Sequence, residues 1–325
     1  MKSEDILLNI KNLKLYFKSY LGTSEVLDNI NLEVYKNCWY GLAGESGCGK
    51  SVTAFTILKL SAESAKIVNG EILFKGQDII KKTEREMQKI RGNEISMIFQ
   101  EPQSALNPSM TIGNHLMEVI MLHRKILDKP VKKTILEMLE KVKISEPKSR
   151  LKQYPHELSG GMKQRICIAM SLFTNPSLLI ADEFTTALDV TIQQEIINTI
   201  SDIKKQMNMS ILFITHDLSL IFETCEYVAI MYAGQIVEKG KVEKIFKNPS
   251  HPYTIALLSS VPKIAGAKEI LKTIEGFVPS LINPPLGCRF NTRCKYKIEN
   301  LCDRSFPERA IIESDHDVWC YLFNN

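Results

Sequence analysis

The segment Gly44-Glu45-Ser46-Gly47-Cys48-Gly49-Lys50-Ser51 constrains this chain more than any other. It follows a short apolar run at 39–43 and precedes a helix-favouring stretch through Leu58, giving strand, glycine loop and helix in that order. Glycines let successive backbone N–H groups turn inward around an anion, and the N-terminus of the next helix adds a favourable dipole. In that setting Lys50 reaches the outer phosphates of a nucleotide and the Ser51 hydroxyl ligates Mg²⁺.

The rest of the chain supplies the sheet and helices such a loop needs. Leu13, Leu15 and Phe17, then Ile30, Leu32 and Val34, alternate with period two, predicting strands over 6–17 and 26–34. Apolar residues at helical spacing fill 111–143, broken at Pro130, so about 100–165 reads as a helical insert. The runs 178–181 and 211–215 have the unbroken apolar character of strands buried in a parallel sheet, and a helix over 189–207 lies between them. The alternation is α/β. After Asn248 prolines become frequent (Pro249, Pro252, Pro262, Pro279, Pro284, Pro285 and Pro307) and cysteines appear, which divides the chain into 1–248 and a C-terminal extension over 249–325.

Composition narrows the class. Lysine and arginine total 41 against 37 acids, a net charge of +4 that is too mild to mark a nucleic-acid surface. No apolar run approaches the ~20 residues a spanning helix needs. The first ten residues carry Glu4 and Asp5 rather than a basic start and apolar core, so no secretory leader is expected.

Leu178-Leu179-Ile180-Ala181-Asp182-Glu183 is a strand ending in two carboxylates, at the sheet edge where ligands of open α/β sheets sit. Asp182 suits a magnesium ion, and Glu183 suits a general base acting on water. Leu158-Ser159-Gly160-Gly161-Met162-Lys163-Gln164-Arg165 places a second anion-binding turn ahead of a helix.

That segment resembles the signature motif of ABC ATPases, and the order of glycine loop, signature, acidic strand and histidine is similar to theirs. Gln100, in Ile98-Phe99-Gln100-Glu101, resembles the family's Q-loop. Asp189, in Ala187-Leu188-Asp189, resembles the D-loop, and His216, in Ile214-Thr215-His216-Asp217, the switch histidine. The resemblance implies a P-loop core of ABC type with an antiparallel β subdomain and a helical insert that meets a membrane partner. It implies a head-to-tail dimer, because Ser159, Gly160 and Gly161 would bind ATP held by the opposite subunit. Gln100 would join Ser51 and Asp182 at the magnesium, and Phe17 would stack on adenine or fill the core with Leu13 and Leu15. Two positions depart from the family: Phe184 stands where proline usually follows the glutamate, and Asn37 where glycine usually precedes the loop strand. Asparagine tolerates positive φ, so the turn at Asn37 is expected to survive.

Tyr154-Pro155-His156-Glu157, Thr185-Thr186-Ala187-Leu188-Asp189-Val190-Thr191, His251-Pro252-Tyr253-Thr254 and the tail Asn283-Pro284-Pro285-Leu286-Gly287-Cys288-Arg289-Phe290 resemble the D-type ATPases of dipeptide and oligopeptide permeases. The resemblance implies a second, F-type ATPase subunit, two transmembrane permeases, an extracytoplasmic binding protein and a peripheral seat on the cytoplasmic face of the membrane. A nickel importer is the alternative cargo, and a soluble non-transport ABC ATPase the alternative class. Of eight cysteines, Cys288, Cys294, Cys302 and Cys320 gather in the tail. Four thiolates suit zinc or an iron–sulfur cluster on chemistry alone, and the resemblance implies [4Fe–4S]. A proline-rich tail with little core would use such a group as a staple, and its loss is expected to loosen the tail and leave ATP binding intact.

Overall fold

The computed structural model describes residues 5–20, 22–101, 105–123, 131–186, 188–260 and 274–324; Glu4, Pro130, Ala187 and Pro262 lie outside them. The chain runs β1 (Ile6–Ser19), β2 (Gly22–Tyr35), β3 (Trp39–Ala43), α1 (Lys50–Ile57), β4 (Ala65–Phe74) and β5 (Gln77–Asp78). It continues as α2 (Glu84–Ile90), β6 (Ile95–Ile98), α3 (Ile112–His123), α4 (Val131–Lys141), α5 (Pro147–Arg150), α6 (Gly160–Leu172), β7 (Leu178–Asp182) and α7 (Val190–Met207). Then come β8 (Ser210–Thr215), α8 (Leu218–Thr224), β9 (Tyr227–Tyr232), β10 (Gln235–Lys241), α9 (Val242–Lys247), α10 (Pro252–Ser259), β11 (Ala310–Glu313) and β12 (His316–Val318). Two compact units result: Met1–Lys81 with Phe213–Asn325, and Lys82–Leu212.

The first unit holds an antiparallel sheet in the order β2-β1-β4-β5. Register pairs Leu13 with Ile30 and Leu15 with Leu27, all four fully buried, so the predicted alternation marks the core face. Asn12 and Asn29 sit at positive φ beside shifts in that register, the conformation asparagine accepts best among residues with a Cβ. In the same unit β9 pairs parallel with β3 and antiparallel with β10. Every residue of β3 is buried, as its unbroken apolar run requires. Asn37, in the turn before β3, adopts φ 55°, so the substituted glycine position keeps its left-handed backbone.

The extension is stitched into this unit. β12 pairs with β10, matching Val318 to Glu238, and β11 pairs with β12. Phe290, Val318 and Trp319 are buried, so the tail carries more core than its prolines suggest. Strands of four and three residues are too short for alternation to reveal them.

In the second unit β6 and β7 form a parallel pair, Ile95 beside Leu178 through Ile98 beside Ala181. Ile112, Leu116 and Ile120 of α3 and Ile135 and Leu139 of α4 are buried, the spacing expected of the helical insert. Helix α6 runs on to Leu172, past the expected end near 165. Helix α2 was not anticipated, although Thr83 and Glu86 form a capping box at its start.

Candidate nucleotide-binding site

The glycine loop joins β3 to α1 in the first unit. Gly44, Gly47 and Gly49 adopt φ of 154°, 78° and 103°. At Gly44 the fit is closest: a Cβ would lie 2.0 Å from the Met231 carbonyl oxygen. The loop backbone there can therefore lie against β9 only because the residue has no side chain. Lys50 is 4% exposed, and its Nζ donates to the carbonyl oxygens of Gly44 (2.8 Å) and Glu45 (3.1 Å). The ammonium thus sits inside its own loop, a cradle suited to phosphate oxygens. Cys48 is buried beside it, and burial pushes its thiol up despite the Lys50 charge. Ser51 follows as the second residue of α1. Phe17 is half-buried at a register position facing Ser24 and Ala65, unlike the fully buried Leu13 and Leu15. His216 is exposed just after β8, and the Asp217 amide donates to the Thr215 hydroxyl at 3.0 Å.

In the second unit Asp182 ends β7 almost fully buried, and Glu183 follows at φ 41°. Gln100 Nε2 donates to Glu183 Oε2 at 3.1 Å, so the structure brings these two predicted residues together. Phe184, in place of the usual proline, is 2% exposed, and its carbonyl accepts from Gln164 Nε2. Packing and a side-chain hydrogen bond thus fix the turn that a proline ring fixes elsewhere. The Ser159 hydroxyl caps α6 by accepting from the Met162 amide at 3.3 Å, with Gly160 and Gly161 in its first turn. Asp189 caps α7 through the Ile192 amide at 3.0 Å. Both are N-caps, each satisfying one of the amide donors that a helix start leaves unpaired.

Cys288, Cys294, Cys302 and Cys320 line one pocket, together with His251 and Tyr296. Burial pushes the Cys288 thiol up to about 12 and Cys320 up to about 11, so bare thiolates are disfavoured there without a cation. His251 was missed as a member of this site, although its His-Pro-Tyr triplet stood out as a motif. It is buried, which lowers its imidazole to about 3. Its Nδ1 accepts the Tyr253 amide at 3.0 Å, so Nε2 carries the proton and faces Cys288 Sγ at 3.9 Å. The Glu238 carboxylate holds this turn by accepting the amides of Ser250 (2.8 Å) and His251 (2.9 Å), and it meets His316 Nε2 at 2.7 Å. Among the described residues no three His, Cys, Asp or Glu side chains are placed to hold a single metal ion.

A glycine loop between strand and helix, with an acidic strand end and a capped signature turn, defines an ATPase of cassette type. The ABC transporter family matches residues 27–186, and the C-terminal region of oligopeptide/dipeptide transporters matches 237–302. The dipeptide transport ATP-binding protein DppD of Bacillus subtilis is 45% identical over 316 residues, covering 97% of this chain and 94% of that protein. The oligopeptide transport ATP-binding protein OppD of the same organism is 47% identical over 295 residues, covering 90% and 82%. The dimeric post-hydrolysis cassette MJ0796 bound to ADP and Pi superposes with a TM-score of 0.64 at 25% identity, covering 72% of this chain and 98% of that one. The chain belongs to the ABC transporter family, as an ATP-binding subunit with ATPase activity. Among the described residues no helix is long and apolar enough to cross a membrane.

Proposed function

We propose that the chain powers an importer of dipeptides and oligopeptides. The observation that carries this reading is the match of 237–302 to the peptide-transporter C-terminal region, joined to identity above 40% with relatives named for peptide transport. The chain pairs with a second, F-type ATPase subunit on the cytoplasmic face of the membrane, beneath two permease subunits fed by an extracytoplasmic binding protein. Residues 1–248 form the nucleotide-binding domain and 249–325 its extension. Reconstituted with these partners in lipid vesicles, the chain is expected to hydrolyse ATP several-fold faster when the binding protein carries a di- or oligopeptide. Stimulation by nickel and not by peptide would assign the cargo to a metal instead.

The residues suit that work. Gly44 to Ser51 hold the phosphates, Phe17 covers adenine, and Ser159, Gly160 and Gly161 reach the ATP of the partner subunit, with Asp189 beside the shared boundary. Ser51, Gln100 and Asp182 are the side chains to hold Mg²⁺, which when bound offsets phosphate charge. Glu183, oriented by Gln100, takes a proton from the attacking water, and His216 serves as the switch residue.

Cys288, Cys294, Cys302 and Cys320 hold a [4Fe–4S] cluster in this reading, which supplies cross-linking of the tail. Four cysteines lining one pocket support a shared group there, with zinc as the alternative to the cluster. Protein purified without oxygen is expected to be brown and to carry about four irons and four acid-labile sulfides per chain. Stoichiometric zinc, or a colourless metal-free protein, would remove the cluster from the proposal.

A further inference from the structure

Between the first two tail cysteines the chain turns toward the glycine loop. Arg293, the residue before Cys294, has a side chain only 4% exposed, and it forks onto the Glu45 carboxylate: Nη1 to Oε2 at 2.8 Å and Nη2 to Oε1 at 3.3 Å. The remaining donors are used as well. Nε reaches the Glu275 carbonyl at 2.9 Å, Nη2 the Ile274 carbonyl at 3.1 Å, and Nη1 the Tyr232 hydroxyl at 3.2 Å. A guanidinium anchored at every corner is a fixed point, not a mobile surface charge.

Glu45 is the second residue of the glycine loop, and three contacts now define it. Its carboxylate is held by Arg293, its amide donates to the Tyr253 hydroxyl at 2.9 Å, and its carbonyl accepts from Lys50 Nζ. Tyr253 packs against Tyr232 and Phe290, with ring centroids 4.6 Å and 5.4 Å away. Both ends of Glu45 are therefore gripped by groups from beyond β9. A carboxylate here is a paradox unless it is neutralised, because the loop must accept a polyanion and the Lys50 ammonium already lies on the backbone of the same residue.

We propose that Arg293 is a positioning residue of the phosphate-binding loop: by pinning and neutralising Glu45 it leaves Lys50 and the loop amides to the nucleotide, so the tail segment at Cys294 sets nucleotide affinity. This rests on the reading of 44–51 as the phosphate site. It also alters one expectation from the sequence, since a tail joined to Glu45 cannot be loosened without consequence for ATP.

The test is equilibrium titration of the full-length protein with a fluorescent ATP analogue and Mg²⁺. Arg293→Ala is expected to bind on the order of tenfold more weakly, as the Glu45 carboxylate is freed and left un-neutralised in the loop. Arg293→Lys, which keeps charge without the fork, is expected to lose about threefold and serves if the alanine variant does not fold. The discriminating variant is Glu45→Gln combined with Arg293→Ala. Removing the freed carboxylate should bring affinity back to within about threefold of wild type, which a merely structural role of Arg293 would not do. Binding within twofold of wild type in both single variants, or a double variant as weak as Arg293→Ala, overturns the inference while leaving the site reading in place. A wild-type protein that binds no nucleotide overturns the site reading and this inference with it.

Discussion

Glu183→Gln is expected to cut ATP turnover by roughly 10²–10⁴-fold while leaving ATP binding near wild type, the loss that follows from removing one general base. The substitution is nearly isosteric, and the amide oxygen can still accept the Gln100 Nε2 proton now given to Glu183 Oε2 at 3.1 Å. The turn itself does not depend on the carboxylate. The Thr186 amide donates to the Glu183 carbonyl at 3.2 Å, and Gln164 holds the next carbonyl. Backbone geometry at φ 41° should thus survive, leaving chemistry as the only change. Phosphate release and binding of an ATP analogue, measured on the same preparation, separate the two effects. A protein that binds but does not hydrolyse should also accumulate as an ATP-bound dimer in size-exclusion chromatography. Turnover within a few-fold of wild type would take the base role away from Glu183 and point to another group or to water positioned by Gln100.

What could be read from the sequence was whatever is written in consecutive residues. The glycine loop, the acidic strand end and the signature turn are each one short segment whose local geometry carries its chemistry, so Gly44, Asp182 and Ser159 appear where the pattern places them. Phe184 shows where reading stops. The missing proline raised a question about the turn, and the answer is Gln164, twenty residues earlier, which only the placement of α6 in the fold brings near. The same holds for Glu45. Its partner Arg293 lies 248 residues away and has no motif of its own, only proximity to Cys294. His251 was visible as a triplet, but its aim at Cys288 needed the turn that Glu238 holds. Tail strands β11 and β12 escaped because three or four residues give no period; the pairing of β12 with β10, and of β11 with β12, supplies the order that local sequence does not.

Arg289→Ala is expected to destabilise the first unit by about 3–5 kcal/mol, the usual cost of removing one member of a buried charged network. The Arg289 side chain is 2% exposed and donates to the carbonyl oxygens of Ala233 (2.7 Å) and Glu25 (2.8 Å) and to the Glu25 carboxylate (3.0 Å), with Asp28 at 3.7 Å. Without it the carbonyls of Glu25 in β2 and of Ala233 in the turn after β9 lose this donor, and among the described residues Asp28 keeps Lys14 and Gln235. Burial works to raise the Asp28 carboxyl, but these partners together hold it below its usual value. A depressed folded value means stability that is present above the ordinary aspartate range, near pH 4, and is lost as pH falls through the folded value. Arg289→Ala removes part of that depression, so the variant should unfold in less denaturant at pH 7 and lose less than wild type on acidification. Urea unfolding at pH 7 and at about pH 3, below the ordinary aspartate value, followed by the fluorescence of Trp39 and Trp319, measures both. An unchanged midpoint at pH 7 would mean that water enters and solvates Glu25 and Asp28. The tail would then be held to β2 by the Glu25 amide on the Leu281 carbonyl and the bridge of Ser24 to Ile282, not by charge.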